Sequence, residues 1–199
     1  MPRKPRRHGP ETLYHVTSLA TGGGAMFLDH EDYLRMYRIL EYTVRKHGWE
    51  IRAFVLMTTH LHLLVWTPLD DVSRGMQRLL GIYAQAFNKE HARKGHLVGA
   101  RFWSTVVERP GHALEVCRYV ALNPVRAGLV ERPEDWRWSS YAATIGTASC
   151  PQFLAPSWVL ELFDEDPFKA AIAYKAFVDA AIPAARLVSG SDPETFAIA

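Results

Sequence analysis

The chain has 199 residues, of which 48% are hydrophobic, and its formal net charge at pH 7 is +2. This composition can bury a sizeable core, so we expect one domain with an appendage. No apolar run reaches the roughly 20 residues that cross a bilayer, no signal-peptide stretch is present, and the two cysteines form no zinc-type pair. A cytoplasmic protein without a membrane segment, a disulfide framework or a cysteine metal site is expected.

The charge is unevenly distributed along the chain. Residues 1–144 contain 20 Lys and Arg against 14 Asp and Glu, whereas residues 145–199 contain 3 against 7. Residues 1–10 hold the run RKPRR and are predicted to form a basic arm. Such arms neutralise phosphates in nucleic-acid-binding proteins, but a solvated tail explains this run equally well.

The first half of the chain predicts a strand, a helix and a strand pair. Residues 13–19 alternate as a strand does, and Asp29 is a suitable N-cap for a helix that reaches about His47, where Gly48 ends it. Residues 49–57 read as the second strand, and a short turn leads into a third strand that Pro68 ends.

A second helix and a fourth strand complete the predicted sheet. Ser73 can cap a helix that runs to about Lys94, and residues 101–108 read as a strand. The order strand, helix, strand, strand, helix, strand predicts an α+β domain with a ferredoxin-like antiparallel sheet and helices on one face.

The remaining segments are predicted to be helical. A helix over residues 112–122 should be interrupted by Asn123 and Pro124, and a short helix should begin near residues 136–141. Residues 147–199 form a C-terminal helical extension, with amphipathic helices at 157–163 and 167–181 and a frayed end at 189–199.

His60 and His62 are the strongest candidates for metal ligands. Residues two apart in a strand project from the same face, so both imidazoles can bind one cation while Leu61 and Leu63 are buried on the other face. A strand with two hydrogen-bonded histidines is the simpler interpretation of this pattern taken alone.

Tyr83 is the candidate nucleophile. It lies in the middle of an apolar stripe on the second helix, which could deliver its phenol towards the histidine strand. A phenol is a poor nucleophile at neutral pH and needs a nearby cation or base, and a divalent ion on two imidazoles would polarise a phosphate. A core tyrosine is the alternative interpretation of Tyr83.

Several separated motifs resemble one known family. Residues 57–65 (MTTHLHLLV) resemble the histidine-hydrophobe-histidine motif of the IS200-like single-tyrosine transposases, and Tyr83 falls on a helix after it. Residues 118–130 (RYVALNPVRAGLV) and 136–141 (WRWSSY) resemble the subgroup associated with repetitive extragenic palindromes (REP), and residues 14–18 (YHVTS) resemble its first strand.

The resemblance covers residues 11–146 and implies an activity. It implies an enzyme that cuts and rejoins single-stranded DNA beside a hairpin, through a 5′-phosphotyrosine intermediate. By this analogy His60 and His62 bind Mg²⁺ or Mn²⁺, and Tyr83 attacks the phosphate. A bacterial, nucleoid-associated protein is implied. Some members are dimers that exchange the tyrosine helix, and others act as monomers.

The sequence departs from the family pattern in three places, one of which is the glycine-rich turn at residues 22–24, where a more basic stretch is expected. Thr58 and Thr59 stand where the family usually has Pro-Asn before the first histidine. The family also carries a third polar ligand about one turn after the tyrosine, where this chain has Phe87. Asn88 is the nearest polar alternative, with Gln85 behind it.

Cationic and aromatic side chains near these motifs are candidates for DNA contacts. Phosphates could be bound by Arg101, Arg109, Arg118, Arg126, Lys89 and Arg93, although the two on the second helix also suit a solvated helix end. Trp136, Trp138 and Tyr141 could stack on unpaired bases or could pin the C-terminal helices to the core. His15 could approach the metal site or be a hydrogen-bonded sheet histidine.

Two other functions remain open. The same residues could serve a replication-initiation or relaxase-type nickase, against which the motif in residues 118–130 counts. A hairpin-binding module that has lost cleavage is the non-enzymatic alternative, for which Phe87 is the best argument.

Overall fold

A four-stranded antiparallel sheet forms the centre of the protein, for which a computed structural model describes residues 9–99 and 101–182. Helices α1 (His30–His47) and α2 (Val72–Glu90) connect the strands in the predicted α+β, ferredoxin-like order. The sheet has the spatial order β2-β3-β1-β4, and its strands are β1 (Thr12–Leu19), β2 (Glu50–Leu56), β3 (His60–Thr67) and β4 (Trp103–Val106).

Local signals explain where α1 begins and ends. The Asp29 side chain accepts a hydrogen bond of 3.0 Å from the backbone N–H of Asp32, as an N-cap does. Gly48 adopts a left-handed conformation with φ of 65°, which ends the helix at little steric cost. Both ends of α1 are therefore as predicted.

Helix α2 is shorter than predicted. It begins at Val72, so Ser73 lies inside it, and it ends at Glu90. Ala92 has a positive φ of 47°, which an α-helix cannot accommodate. The residues predicted to form its last turn therefore belong to the connection to β4.

The sheet is covered on both faces. On one face, α1 and α2 pack their buried side chains against Leu61, Leu63 and Val65 of β3. On the other face, α3 (Pro110–Arg126) packs against Val55 and Leu64, because alternate residues of each strand point to opposite sides. The helices of the ferredoxin-like core lie on one face as predicted, and the helices that follow the core cover the second face.

Helix α3 continues through Asn123 and Pro124, so the predicted interruption there is wrong. Proline removes its own N–H, but its carbonyl still accepts from Leu129 at 3.0 Å, and the Asn123 carbonyl accepts from Ala127 at 3.0 Å. The extra turn keeps Asn123 helical, with its side chain against the sheet.

Further helices follow α3. They are α4 (Tyr141–Thr144), α5 (Ser157–Leu160) and α6 (Pro167–Asp179). Tyr174 and Val178 of α6 join the core on the α3 side of the sheet. Of the predicted basic arm, only residues 9 and 10 are described, and the predicted frayed end at 189–199 lies outside the described residues. Within the described ranges, no helix combines the length and apolar character that a bilayer crossing needs.

Candidate functional site

The two predicted histidine ligands lie side by side on the α3 face of β3. The centroids of the His60 and His62 rings are 5.0 Å apart. His60 is 8% exposed and His62 only 1% exposed. The intervening Leu61 is buried on the opposite face, so the shared face predicted from the alternation of a strand is present.

Tyr83 is not at this site, and its predicted convergence with the histidines is wrong. Its side chain is completely buried in the core between the sheet and the helices α1 and α2. The Tyr83 hydroxyl donates a hydrogen bond of 2.6 Å to the Met26 carbonyl. This core contains Leu61 and Leu63, so the sheet separates the phenol from both imidazoles.

Asn88 is also away from the histidines, so its predicted role as the third ligand is wrong. Its side-chain amide donates to the Gly95 carbonyl at 2.8 Å, and its oxygen accepts from Arg93 at 3.4 Å. Asn88 and Gln85 line a groove at the end of α2, together with Leu80, Gly81, Ala84, Gly95, His96, Leu97 and Val98. These contacts hold the connection that follows α2.

A different tyrosine and a different asparagine lie beside the imidazoles. The Tyr119 ring of α3 packs edge-on against His62, with centroids 5.3 Å apart. Asn123, one helical turn later, has its Oδ1 3.3 Å from His60 Nε2, and its side chain also hydrogen-bonds Tyr119. The guanidinium of Arg126 lies over the Tyr119 ring at 5.1 Å from the centroid.

Burial determines the ionisation of this group. It lowers the pKa of both His60 and His62 and lowers the pKa of His15 to about 4. The three rings are therefore neutral near pH 7, as an imidazole must be to bind a cation. Burial raises the pKa of Tyr119 above its ordinary value, and the hydrogen bond with Asn123 and the charge of Arg126 offset only part of this rise.

The arrangement suits a divalent ion. Nε2 of His62 is buried without a hydrogen-bond partner among the described residues, which is unfavourable unless something binds it. The 3.3 Å separation of His60 Nε2 and Asn123 Oδ1 is close to the roughly 3 Å between neighbouring ligands of an octahedral ion with 2.1 Å bonds. The amide oxygen is a ligand that suits Mg²⁺ or Mn²⁺, whereas imidazoles more often bind Zn²⁺ or Fe²⁺, so the donor set fits a divalent ion and does not identify which one.

A second group of potential ligands lies on the other side of the sheet. Oxygen and nitrogen atoms of Asp29, Asp32 and His91 lie within 4.8 Å of one another. The Asp32 carboxylate already accepts from Arg35, His91 and the backbone N–H of Leu28, at 2.9 to 3.0 Å. These bonds tie α1 to the end of α2, which is a structural role.

The cations predicted to contact DNA have different surroundings. Arg126 adjoins Tyr119, while Arg118 pairs with Glu115 and stacks on Phe177. Arg109 is exposed just before α3, and Arg101 is exposed just before β4. On α2, Lys89 is exposed, and nearby Arg93 donates to the His96 carbonyl at 3.1 Å.

The aromatic side chains after α3 pin the chain to the core. Trp136 Nε1 donates to the Leu56 carbonyl at 3.1 Å, Trp138 stacks on Tyr33 with centroids 4.4 Å apart, and Tyr141 is 1% exposed. Of the two interpretations that the sequence left open, core anchoring is the one these contacts support. His15 belongs to the histidine site, since its Nε2 lies 3.1 Å from His62 Nδ1.

The sequence contained a signal for Tyr119 and Asn123. The family pattern is a tyrosine followed one helical turn later by a polar ligand. Tyr83 is followed by Phe87, which cannot be a ligand, whereas Tyr119 is followed by Asn123. Both residues also lie inside the motif 118–130 that carries the resemblance to the REP-associated subgroup.

Comparisons with known proteins agree with this architecture. The family described as "Transposase IS200 like" matches residues 12–121. A protein of Haemophilus influenzae whose name places it with the REP-associated tyrosine transposases is 25% identical over 133 residues, which are 61% of this chain and 76% of that protein.

A solved structure of a REP-associated tyrosine transposase bound to a REP hairpin has the same fold. Its TM-score is 0.66 at 18% sequence identity, and the alignment covers 84% of this chain and 96% of that one. Because the family match extends over more than half of the 199 residues, the chain belongs to the IS200-like transposase family.

Proposed function

We propose that this protein cleaves and rejoins single-stranded DNA beside hairpins, with Tyr119 as the nucleophile in place of the predicted Tyr83. One observation carries the proposal: on the α3 face of the sheet, a phenol ring packs on His62, an amide oxygen lies beside His60, and His62 Nε2 is buried with no hydrogen-bond partner among the described residues. Transposases of this family act on DNA, and the named relatives are tyrosine transposases.

Each side chain has a distinct role in this proposal. Tyr119 supplies the attacking oxygen, and Asn123 orients it through their shared hydrogen bond. His60, His62 and Asn123 would hold Mg²⁺ or Mn²⁺, which when bound polarises the phosphate and stabilises the charge on its oxygens. Arg126, stacked on Tyr119, favours the phenolate and can contact a phosphate.

The reaction transfers a phosphoryl group from the 3′ oxygen of the DNA to the Tyr119 oxygen. The Tyr119 oxygen bonds to phosphorus, the bond between phosphorus and the 3′ oxygen breaks, and that oxygen leaves as a hydroxyl with a proton equivalent to the one the phenol loses. Attack by another 3′-OH on the 5′-phosphotyrosine reverses these bond changes and joins two strands. No nucleotide triphosphate is needed.

The proposed substrate is a single strand flanked by a hairpin. The solved relative is bound to a REP hairpin, and the exposed or partly exposed cations Arg109, Arg118 and Arg126 lie along α3 on the side of the sheet that carries the histidines. Phosphate contacts from such cations position the strand, whatever its sequence. A homodimer that exchanges helices is not required, because one chain supplies all four groups.

Denaturing electrophoresis of the protein with Mn²⁺ and a 5′-labelled or 3′-labelled hairpin-flanked single strand tests the proposal. We expect a covalent adduct that carries the 3′ fragment, is lost in Tyr119→Phe, and persists in the matched control Tyr83→Phe.

An adduct that disappears in Tyr83→Phe and persists in Tyr119→Phe would overturn the choice of nucleophile. Tight hairpin binding without any adduct would favour the non-catalytic module. Phe87 does not favour a module, because it lies on α2, in the core on the other face of the sheet from the histidines.

A further inference from the structure

The strand β1 presents two side chains to one nitrogen of His62. Thr17 is directly opposite His62 in the antiparallel pairing of β1 with β3, and His15 lies two residues earlier on the same face. Thr17 Oγ1 is 3.0 Å and His15 Nε2 is 3.1 Å from His62 Nδ1. Since His62 is 1% exposed, water cannot easily replace these partners.

The position of the proton on His62 decides whether it can bind a cation. A neutral imidazole carries one N–H, on either nitrogen. If the proton is on Nε2, that nitrogen cannot be a ligand and becomes a buried donor with no partner in the described chain. If it is on Nδ1, Thr17 Oγ1 and His15 Nε2 can both accept it, and the Nε2 lone pair is free.

From these contacts we infer that Thr17 and His15 are positioning residues, which hold His62 in the tautomer with Nδ1 protonated and Nε2 available to a divalent cation. The inference rests on the proposed function, because that cation is the one assigned there to His60, His62 and Asn123. It adds two residues that do not touch the substrate.

His60 provides an internal comparison. Its Nδ1 lies 3.0 Å from Thr59 Oγ1, so each imidazole has a threonine hydroxyl at Nδ1, which leaves Nε2 as the nitrogen assigned to the proposed ion. Thr59 is exposed, whereas Thr17 is partly buried. Water can therefore take over the role of Thr59, and removal of the Thr59 hydroxyl should matter much less.

Binding of Mn²⁺ to the full-length protein, followed by electron paramagnetic resonance, tests the inference without any cleavage assay. The double variant Thr17→Val with His15→Leu should bind Mn²⁺ about 10 to 100 times more weakly, as is typical when partners behind a ligand are removed. Thr17→Ser keeps the hydroxyl and should bind as the wild type does. Thr59→Val is the matched control and should stay close to the wild type.

A spectroscopic measurement reads the tautomer directly. Long-range ¹H–¹⁵N correlations of the imidazole rings in the wild-type protein should report a proton on Nδ1 of His62, with and without Mg²⁺. A proton on Nε2 of His62 in the ion-free protein would overturn the inference even if the double variant did not fold, because the measurement needs only the wild type.

Different experimental outcomes refute the positioning role and the proposed ion site. A folded double variant that binds Mn²⁺ as tightly as the wild type would refute the positioning role and leave the proposed ion site intact. Equal binding by the wild type and His62→Ala would refute the ion site, and the tautomer measurement would still decide the hydrogen-bond assignment.

Discussion

The Tyr83 hydroxyl is bonded inside the core. It donates to the Met26 carbonyl at 2.6 Å, and both residues are completely buried. Tyr83→Phe removes the donor and leaves this carbonyl without its partner, so we expect the free energy of unfolding to fall by about 1 to 3 kcal/mol. Urea denaturation followed by circular dichroism measures the change.

Tyr42 provides the matched control for removal of a tyrosine hydroxyl. Its hydroxyl accepts a hydrogen bond of 2.9 Å from Arg78, but the residue is 47% exposed and water can replace the partner. Tyr42→Phe should leave the free energy of unfolding close to that of the wild type. Equal effects of the two substitutions would contradict a structural role for the Tyr83 hydroxyl.

At the scale of single residues, the sequence correctly predicted that the two histidines share one face of a strand, and it wrongly predicted that the Tyr83 phenol approaches that face. The two-residue period of a strand places His60 and His62 together, whatever packs on them. The error with Tyr83 came from combining two patterns that exclude each other. A tyrosine in an apolar helical stripe packs on the apolar face of β3, which is the face of Leu61 and Leu63, so it cannot also face the imidazoles.

Helix α2 approaches the start of β2 closely at one glycine. A Cβ added to Gly75 would lie 2.0 and 2.2 Å from ring atoms of Trp49. The indole cannot move freely, because its Nε1 donates to Asp71 at 2.8 Å and the residue is 2% exposed. We expect Gly75→Ala to lower the free energy of unfolding by about 1 to 3 kcal/mol, as overpacking does.

Gly81 offers a control in the same helix. An added Cβ there meets nothing within 4 Å, and alanine favours a helix over glycine by about 1 kcal/mol. Gly81→Ala should therefore raise the midpoint of thermal unfolding, whereas Gly75→Ala should lower it. The same direction of change in both variants would show that helix propensity, and not the contact with Trp49, governs Gly75.

At the scale of elements, the order of strands and helices in the core was predictable from the sequence. The start of α3 was also predictable, but its end was not. Caps and breakers act locally, which is why Asp29, Gly48 and Pro68 marked their boundaries correctly. Proline in the last turn of a helix is different, because its effect depends on what packs around it. Asn123 and Val125 are buried, and this burial holds the turn that Pro124 was expected to break.

At the scale of the whole molecule, the sheet divides the cations into two groups. Arg126 lies on the α3 face, over the Tyr119 ring. Arg93 lies just beyond α2, the helix that packs on the opposite face, and is held by Asn88 and the His96 carbonyl. If the strand lies along the histidine face, only the first group can contact its phosphates near the site.

Salt dependence of DNA binding separates the two groups. In a Tyr119→Phe background, which prevents covalent capture, Arg126→Ala should weaken binding of a hairpin-flanked single strand at low salt. It should also reduce the slope of log affinity against log salt by about 0.7, the value for one phosphate contact on a single strand. Fluorescence anisotropy at several salt concentrations measures the affinity and the slope.

Arg93→Ala in the same background is the control, because it removes an equal charge from the α2 side. Long-range attraction depends on net charge and would weaken equally in both variants. Loss of a direct phosphate contact would change the slope of log affinity against log salt only in Arg126→Ala. We therefore expect the Arg93→Ala slope to match that of the background. A larger loss of slope in Arg93→Ala than in Arg126→Ala would place the DNA on the α1 and α2 face, away from His60, His62 and Tyr119.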